Sequence, residues 1–172
     1  MNELLWHGTS GKIAERILRE GIIPNGTESL TLQVSEAGTL GGKRVDPTLV
    51  YLMDTFALAI PFGWCRVAGR IERGRLCFDK HEQSDHVAVF GIEPNDLGSA
   101  AFVRDGLAFK CEIAYRGIIP ASALRHLITF PMTAELSAFS HDAVNGELQR
   151  YVDLDLLEHF HGKAYDVTAD AP

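Results

Sequence analysis

The 172-residue sequence predicts an α+β fold, with strands in the middle of the chain and helices toward both ends. Residues 11–20 place their apolar side chains on one helical face, and the segment "GELQRYVDLDLLEHFH" over 146–161 predicts a closing helix. Between them, apolar runs of strand length predict mixed or antiparallel central sheets with the helices at the periphery. The length suits a single domain over 1–172.

Local signals define the N-terminal elements. Residues 3–7 predict a short strand that ends at a histidine and a glycine. Ser10 is placed to cap the helix over 11–20, and Gly21 is a natural residue to end it. Residues 25–47 are rich in Gly, Thr and Ser, which predicts a loop.

The middle of the chain alternates short apolar runs with polar turns. "LVYLM" over 49–53 predicts a buried strand, and Asp54 or Thr55 could cap a helix that begins "FALAIPFGW". Pro61 should distort or end that helix, because proline removes a backbone donor. The later strands are expected at "RLCF" (75–78), "HVAVFGI" (86–92), "LAFKCEIAY" (107–115) and within "IIPASALRHLITF" (118–130).

Composition narrows the function classes. The net charge of −7 argues against a general affinity for nucleic-acid backbones, although the Arg-rich stretch 66–75 could recognise a phosphate-bearing target. The three cysteines show no paired spacing and are expected to be free thiols in a reducing compartment. No basic leader or long apolar run is present, since Asp54 and Pro61 interrupt the most apolar window, so we expect a cytoplasmic protein with no membrane partner.

Three motifs carry the functional prediction: "LWHGTS" (5–10), "VYLMDTFALAIPF" (50–62) and "FKCEIAYRGIIP" (109–120). In content and order they resemble the ADP-ribosyltransferase fold of diphtheria-toxin-like and poly(ADP-ribose)-polymerase-like enzymes. That family has a histidine-glycine on a first strand, a tyrosine on a later strand with a second aromatic after the next helix, and a glutamate on a late strand. The resemblance spans roughly residues 4–128, and the segment 146–161 would follow that core.

The resemblance implies a binding site for NAD, which would be a substrate, with no metal. His7 would hydrogen-bond a ribose hydroxyl, and the backbone of Gly8 would bind the nicotinamide amide, where a side chain would block close approach. Thr9 would belong to the same cofactor-binding group. Tyr51 and Phe62 would enclose the nicotinamide ring.

The resemblance also implies a catalytic set of Glu112, His7 and Tyr51. Departure of nicotinamide leaves an oxocarbenium-like centre, and a fixed carboxylate at Glu112 would lower that barrier. Two positions depart from the family. Ala59 stands where polymerase-like enzymes have serine, and Lys110 stands where arginine-modifying enzymes have Glu or Gln. Modification of arginine is therefore not expected.

The sequence predicts an NAD-dependent mono-ADP-ribosyltransferase that modifies a macromolecule, either protein or nucleic acid. An intracellular bacterial or phage toxin, with an antitoxin or regulatory partner, would fit by fold analogy. One alternative is a catalytically inactive NAD- or partner-binding module of the same fold. The weaker alternative is an RNA 2′-phosphotransferase, because the sequence shows no basic partner beside His7. The cluster at His81, Glu82, Asp85 and His86 is interpreted as a polar surface loop.

Overall fold

The computed structural model describes residues 4–24, 46–72, 75–78, 85–103 and 112–167. Its strands are β1 (Leu5–Ser10), β2 (Leu49–Met53), β3 (Gly69–Glu72), β4 (Arg75–Phe78), β5 (His86–Ile92), β6 (Phe102–Val103), β7 (Glu112–Arg116), β8 (Leu124–Pro131) and β9 (Lys163–Asp166). Its α-helices are α1 (Ala14–Glu20), α2 (Phe56–Ala68), α3 (Ala134–Val144) and α4 (Leu156–His159). Turns of 3₁₀ helix cover Gly11–Ile13, Pro94–Asp96, Ser99–Ala101, Ala121–Ala123 and Leu148–Tyr151. None of the helices in these ranges combines the length and apolar character needed to cross a bilayer.

One antiparallel sheet organises the molecule. Its strand order is β6-β7-β2-β1-β5-β8-β9, and β3 and β4 form a separate two-stranded sheet. The predicted α+β class is confirmed. The strands predicted over 49–53, 75–78 and 86–92 are confirmed with the same bounds.

Apolar side chains cover both faces of the large sheet. On one face, α1 packs over Leu52, Phe90 and Ile113 in a first core cluster. On the other face, α2 and α3 pack over Met53, Val89 and Phe130 in a second cluster. Alternation along each strand sends neighbouring residues to opposite clusters. The strand register therefore decides which side chains share a face.

The predicted start and end of α1 are confirmed. The Ser10 hydroxyl accepts a hydrogen bond from the Lys12 amide at 3.2 Å, so it caps the 3₁₀ turn that leads into the helix. Gly21 ends the helix with a φ of +81°, a conformation that favours glycine. Ile22 then pairs with Ile119, which fixes the end of α1 against the segment after β7.

Two predicted elements are wrong in extent, and a third is described only in part. The first strand was expected over 3–7, but β1 continues through Gly8 to Ser10 because β5 pairs with it along its whole length. Pro61 lies inside α2 and does not end it; the proline is buried and the helix packs along the sheet. The strand expected over 107–115 is described from Glu112 to Arg116, and its earlier part lies outside the described residues.

The C-terminal prediction is also wrong. The helix expected over 146–161 is broken into the 3₁₀ turn Leu148–Tyr151 and the short α4. The Asp155 carboxylate accepts hydrogen bonds from the amides of Leu157 and Glu158, so it starts a new helix. The sequence analysis did not predict α3 or β9. The loop predicted over 25–47 lies almost wholly outside the described residues.

Candidate functional site: a seam between two strands

The sheet changes character between β1 and β2. Within the described residues, these strands pair in register at one position, Trp6 with Met53. By contrast, β1 pairs with β5 over six positions and β2 pairs with β7 over five. Past the Trp6–Met53 pair, His7 and Gly8 therefore border a seam across from Tyr51. The first two motifs singled out in the sequence meet there.

Backbone polarity in the seam follows from one contact. The Tyr51 carbonyl accepts a hydrogen bond from His7 Nδ1 at 3.0 Å, so this carbonyl points toward β1. In an antiparallel ladder, residues two apart direct their N–H and C=O groups to the same neighbour. Tyr51 and Met53 therefore both direct these groups toward β1, and Trp6, the register partner of Met53, directs its own toward β2. Gly8 lies two residues after Trp6, so its N–H and C=O groups also point toward β2. Gly8 thus presents one donor and one acceptor where the regular ladder has ended.

The same contact fixes the tautomer of His7. Because a carbonyl oxygen can only accept, Nδ1 carries the proton, and Nε2 of the neutral ring presents a lone pair. Burial lowers the pKa of His7 below its usual 6.5; the hydrogen bond to Tyr51 opposes this shift, and the positive charge of Arg66 adds to it. The imidazole is therefore neutral at neutral pH and can accept a hydrogen bond from a hydroxyl.

Arg66 was not among the predicted site residues. It lies on α2, one helical turn after Phe62, and its charge acts on His7. The charge of Arg66 is the smallest of the three influences on the pKa of His7. The packing of α2 on β1 places Arg66 and His7 in the same part of the fold, although they are 59 positions apart in the sequence.

Gly8 has a packing reason to be glycine. A Cβ atom there would lie 1.8 Å from the carbonyl oxygen of Ala59 and 2.7 Å from the amide nitrogen of Gly63, both in the backbone of α2. A Cβ on Gly63 would in turn lie 3.0 Å from the amide nitrogen of Thr9. The sequence analysis attributed the missing side chain to ligand approach. In the structure, the close approach of a helix to a strand already requires it.

The remaining predicted cofactor-binding residues occupy different surroundings. Thr9 is buried, with 3 % of its surface exposed. Tyr51 and Phe62 are both partly exposed. The sequence analysis placed Phe62 after a short helix, but α2 runs from Phe56 to Ala68, so Phe62 lies in its interior. The Tyr51 hydroxyl contacts the backbone of Asp46, accepting from its amide at 2.8 Å.

Glu112 is the first residue of β7, and its register partner is Met53. Tyr51 lies two residues before Met53, so the Tyr51 and Glu112 positions share the face of the sheet that α2 covers. His7 pairs in register with Phe90, which belongs to the opposite face, and its ring reaches Tyr51 across the seam. The backbone thus places Tyr51 and Glu112 on adjacent strands, while His7 approaches from the other half of the sheet.

Other singled-out residues lie away from the seam or outside the described ranges. His81, Glu82, Lys110 and Arg73 are outside the described residues. The His86 amide donates to the Asp85 carboxylate at 2.8 Å, and no group of three or more His, Cys, Asp or Glu in the described ranges could hold a metal ion. Cys65 and Cys77 are free thiols, and burial raises the pKa of Cys65 to about 12.

Comparisons with known proteins find distantly similar structures but no matching family. No protein-family model matches the chain, and no curated protein matches it. Among solved structures, it is similar to EcPltA with a TM-score of 0.43 and 12% identity, over 78% of this chain and 79% of that one. It is also similar to a nicked CARDS toxin with a TM-score of 0.43 and 11% identity, over 75% of this chain and 25% of that one. Likenesses this distant carry no argument about fold or activity.

Proposed function

We propose that this protein is an NAD-dependent mono-ADP-ribosyltransferase that binds NAD at the seam between β1 and β2 and modifies a macromolecule. The observation that carries the proposal is the backbone of Gly8, which directs one donor and one acceptor toward β2 across from Tyr51. A carboxamide such as that of nicotinamide has the complementary acceptor and donor. The first two sequence motifs supply His7, Gly8 and Tyr51 at the seam, and the third supplies Glu112 on the strand adjacent to Tyr51.

Each residue has a role in this proposal. The lone pair at Nε2 of neutral His7 accepts a hydrogen bond from a ribose hydroxyl. Tyr51 and Phe62 supply aromatic surface for the nicotinamide ring. Glu112 stabilises the positive charge that develops on the ribose as the glycosidic bond breaks. The positive charge of Arg66 on α2 is close enough to influence the pKa of His7, and in this proposal it favours an anionic group such as the pyrophosphate of NAD.

The test uses labelled NAD and a cell lysate, because the acceptor is undefined. The wild-type protein should transfer label to a protein or nucleic-acid fraction. Glu112→Gln keeps the shape and removes the charge, so transfer should fall by roughly 10²-fold or more. NAD affinity should change much less, because this contact matters most as the bond breaks. Glu135→Gln, on the exposed surface of α3, is the matched control and should leave transfer unchanged.

A second variant tests the ring contact separately. Tyr51→Ala should weaken NAD binding by about 1 kcal/mol or more in calorimetry, because one aromatic surface is lost. Tyr165→Ala is the control, since Tyr165 lies on β9 at the far edge of the sheet and is 50% exposed. Equal NAD affinity of wild type and Tyr51→Ala, at equal folded fraction, would remove Tyr51 from the site.

Two alternatives give different results in the same assay. NAD binding without transfer or hydrolysis would make the protein a binding module of the same fold. The RNA 2′-phosphotransferase is the second alternative, and that reaction needs cations to hold phosphates. Loss of the phosphate from a 2′-phosphorylated RNA in the presence of NAD, with no label on other acceptors, would support that reaction. We further propose a cytoplasmic toxin-like role with an antitoxin or regulatory partner.

A further inference from the structure

We propose that the turn formed by residues 46–48 is a positioning device that holds the Tyr51 ring in place before NAD binds. This inference rests on the proposed function for its consequence, because it assigns the turn a part in the same site. The sequence analysis placed residues 46 and 47 in a loop and gave them no role.

Asp46 makes two backbone contacts with the hydroxyl of Tyr51. It accepts a hydrogen bond from the Asp46 amide at 2.8 Å and lies 3.4 Å from the Asp46 carbonyl oxygen, to which it can donate. Asp46 precedes Tyr51 by five residues on the same chain segment. The phenol therefore lies along β2, back toward the start of the strand, and both ends of the side chain are fixed.

Thr48 in turn fixes Asp46. The Asp46 carboxylate accepts the Thr48 amide at 2.8 Å and the Thr48 hydroxyl at 2.6 Å. These hydrogen bonds lower the pKa of Asp46, and Arg116 on β7, 4.0 Å away, lowers it further, so the acceptor stays a carboxylate at neutral pH. The Asp46 carbonyl also accepts the Leu49 amide at 3.3 Å. The turn therefore continues directly into β2.

A fixed ring binds a planar ligand more tightly than a mobile one. Immobilising a side chain on binding opposes affinity, and a ring that is already fixed avoids that cost. For one side chain the difference amounts to roughly two- to tenfold in affinity. The ring orientation, and not a new contact with NAD, is what the turn supplies.

The experiment combines two variants that break the same chain of contacts. Asp46→Ala removes the carboxylate that organises the turn, and Tyr51→Phe removes the hydroxyl while keeping the ring. Each should raise the Kd for NAD roughly two- to tenfold in calorimetry. The Kd of the double variant for NAD should be no higher than the higher Kd of the two single variants, because both changes release the same ring.

Asp54→Ala is the matched control. Asp54 lies just after β2 and accepts a hydrogen bond from the Thr55 hydroxyl at 2.9 Å, so it offers a second Asp–Thr pair at the other end of the strand. Its NAD affinity should equal that of the wild type. Additive losses in the double variant, or an unchanged Kd in Asp46→Ala, would overturn the proposal.

A measurement without NAD separates this inference from the proposed function. With ¹³C-labelled tyrosine, the Tyr51 ring signal in the free protein should shift in Asp46→Ala and stay in place in Asp54→Ala. If the wild type binds no NAD, the proposed function fails, and a shifted Tyr51 signal would still support positioning by the turn. A Tyr51 signal identical in all three proteins would overturn the inference even if NAD binds.

Discussion

Replacing Gly8 by alanine tests whether the close packing of α2 on β1 requires a glycine at this position. The new Cβ would lie 1.8 Å from the Ala59 carbonyl oxygen, where ordinary van der Waals contact begins near 3.4 Å. The two nearest groups, at Ala59 and Gly63, are backbone, so no side chain can rotate away. The helix itself must withdraw from the strand by about 1.5 Å.

The magnitude follows from what that withdrawal disrupts. The buried side chains of Ile60 and Trp64 on α2 belong to the second core cluster. A gap of about 1 Å already removes roughly a quarter to a half of each dispersion contact across it. We expect a loss of about 3 kcal/mol in the free energy of unfolding, at the upper end for an overpacked site. For a chain of this length, that loss corresponds to a fall in Tm of about 6–12 °C.

Urea and thermal unfolding followed by circular dichroism measure this loss without NAD. Gly98→Ala is the control, because a Cβ at Gly98 meets nothing within 4 Å. If Gly8 were glycine only to admit a ligand, Gly8→Ala would lose NAD binding and keep its stability. A Tm within about 2 °C of the wild type would therefore refute the packing argument, whatever happens to NAD affinity.

Three further predictions concern stability. The pKa of His7 is lower in the folded state than in the unfolded state, so the unfolded state binds more protons. The free energy of unfolding should therefore decline as the pH falls from about 6.5 toward the folded-state pKa. His7→Gln should lose this part of the pH dependence in urea unfolding. The buried Ser140 hydroxyl has no hydrogen-bond partner among the described residues, so Ser140→Ala should stabilise the protein by about 1 kcal/mol. Ser137→Ala removes the acceptor of the Trp64 indole N–H and should destabilise the protein by about as much. Changes of the same sign in the free energy of unfolding of the two variants would contradict this account. Gly21→Ala should lower the free energy of unfolding by about 2 kcal/mol or more, because φ is +81° and the Cβ would lie 2.1 Å from the Ile119 carbonyl oxygen. An unchanged free energy of unfolding in the same assay would contradict this prediction.

The parts of the fold that local sequence decides were predicted correctly. The strands over 49–53 and 86–92 are continuous apolar runs between polar residues, and each needs no distant information. Ser10 and Gly21 bound α1 through their own backbone and side-chain preferences. Such signals act over a few residues and can be found in the sequence.

Other elements depend on partners elsewhere in the chain. The strand β9 is exposed along its whole length and exists because β8 offers it an edge. The interior position of Pro61 in α2 depends on packing that outweighs one lost hydrogen bond.

The helix α3, by contrast, carries a local signal that the sequence-based prediction missed, since Thr133 caps it before the spaced apolar residues Leu136 and Phe139.

The sequence singled out residues for a candidate site but did not indicate their arrangement. His7 of the first motif contacts the Tyr51 carbonyl of the second. That they meet at a break in the pairing of two strands depends on the register of β1 and β2, which local sequence does not encode. The approach of Arg66 and the contact of Asp46 with the Tyr51 hydroxyl likewise follow from the folded arrangement.

Because β1 and β2 pair in register only at Trp6–Met53 within the described residues, we expect the large sheet to behave as two units in amide hydrogen exchange. One unit contains β6, β7 and β2, and the other contains β1, β5, β8 and β9. Opening one rung costs far less than opening a ladder, so the amides of the two units should exchange with separate protection factors. Packing on both faces crosses the seam and couples the two units, since α2 contacts both β1 and β2, and the first core cluster joins Leu52 and Ile113 to Phe90. A variant that loosens α2 should lower protection on both sides of the seam together.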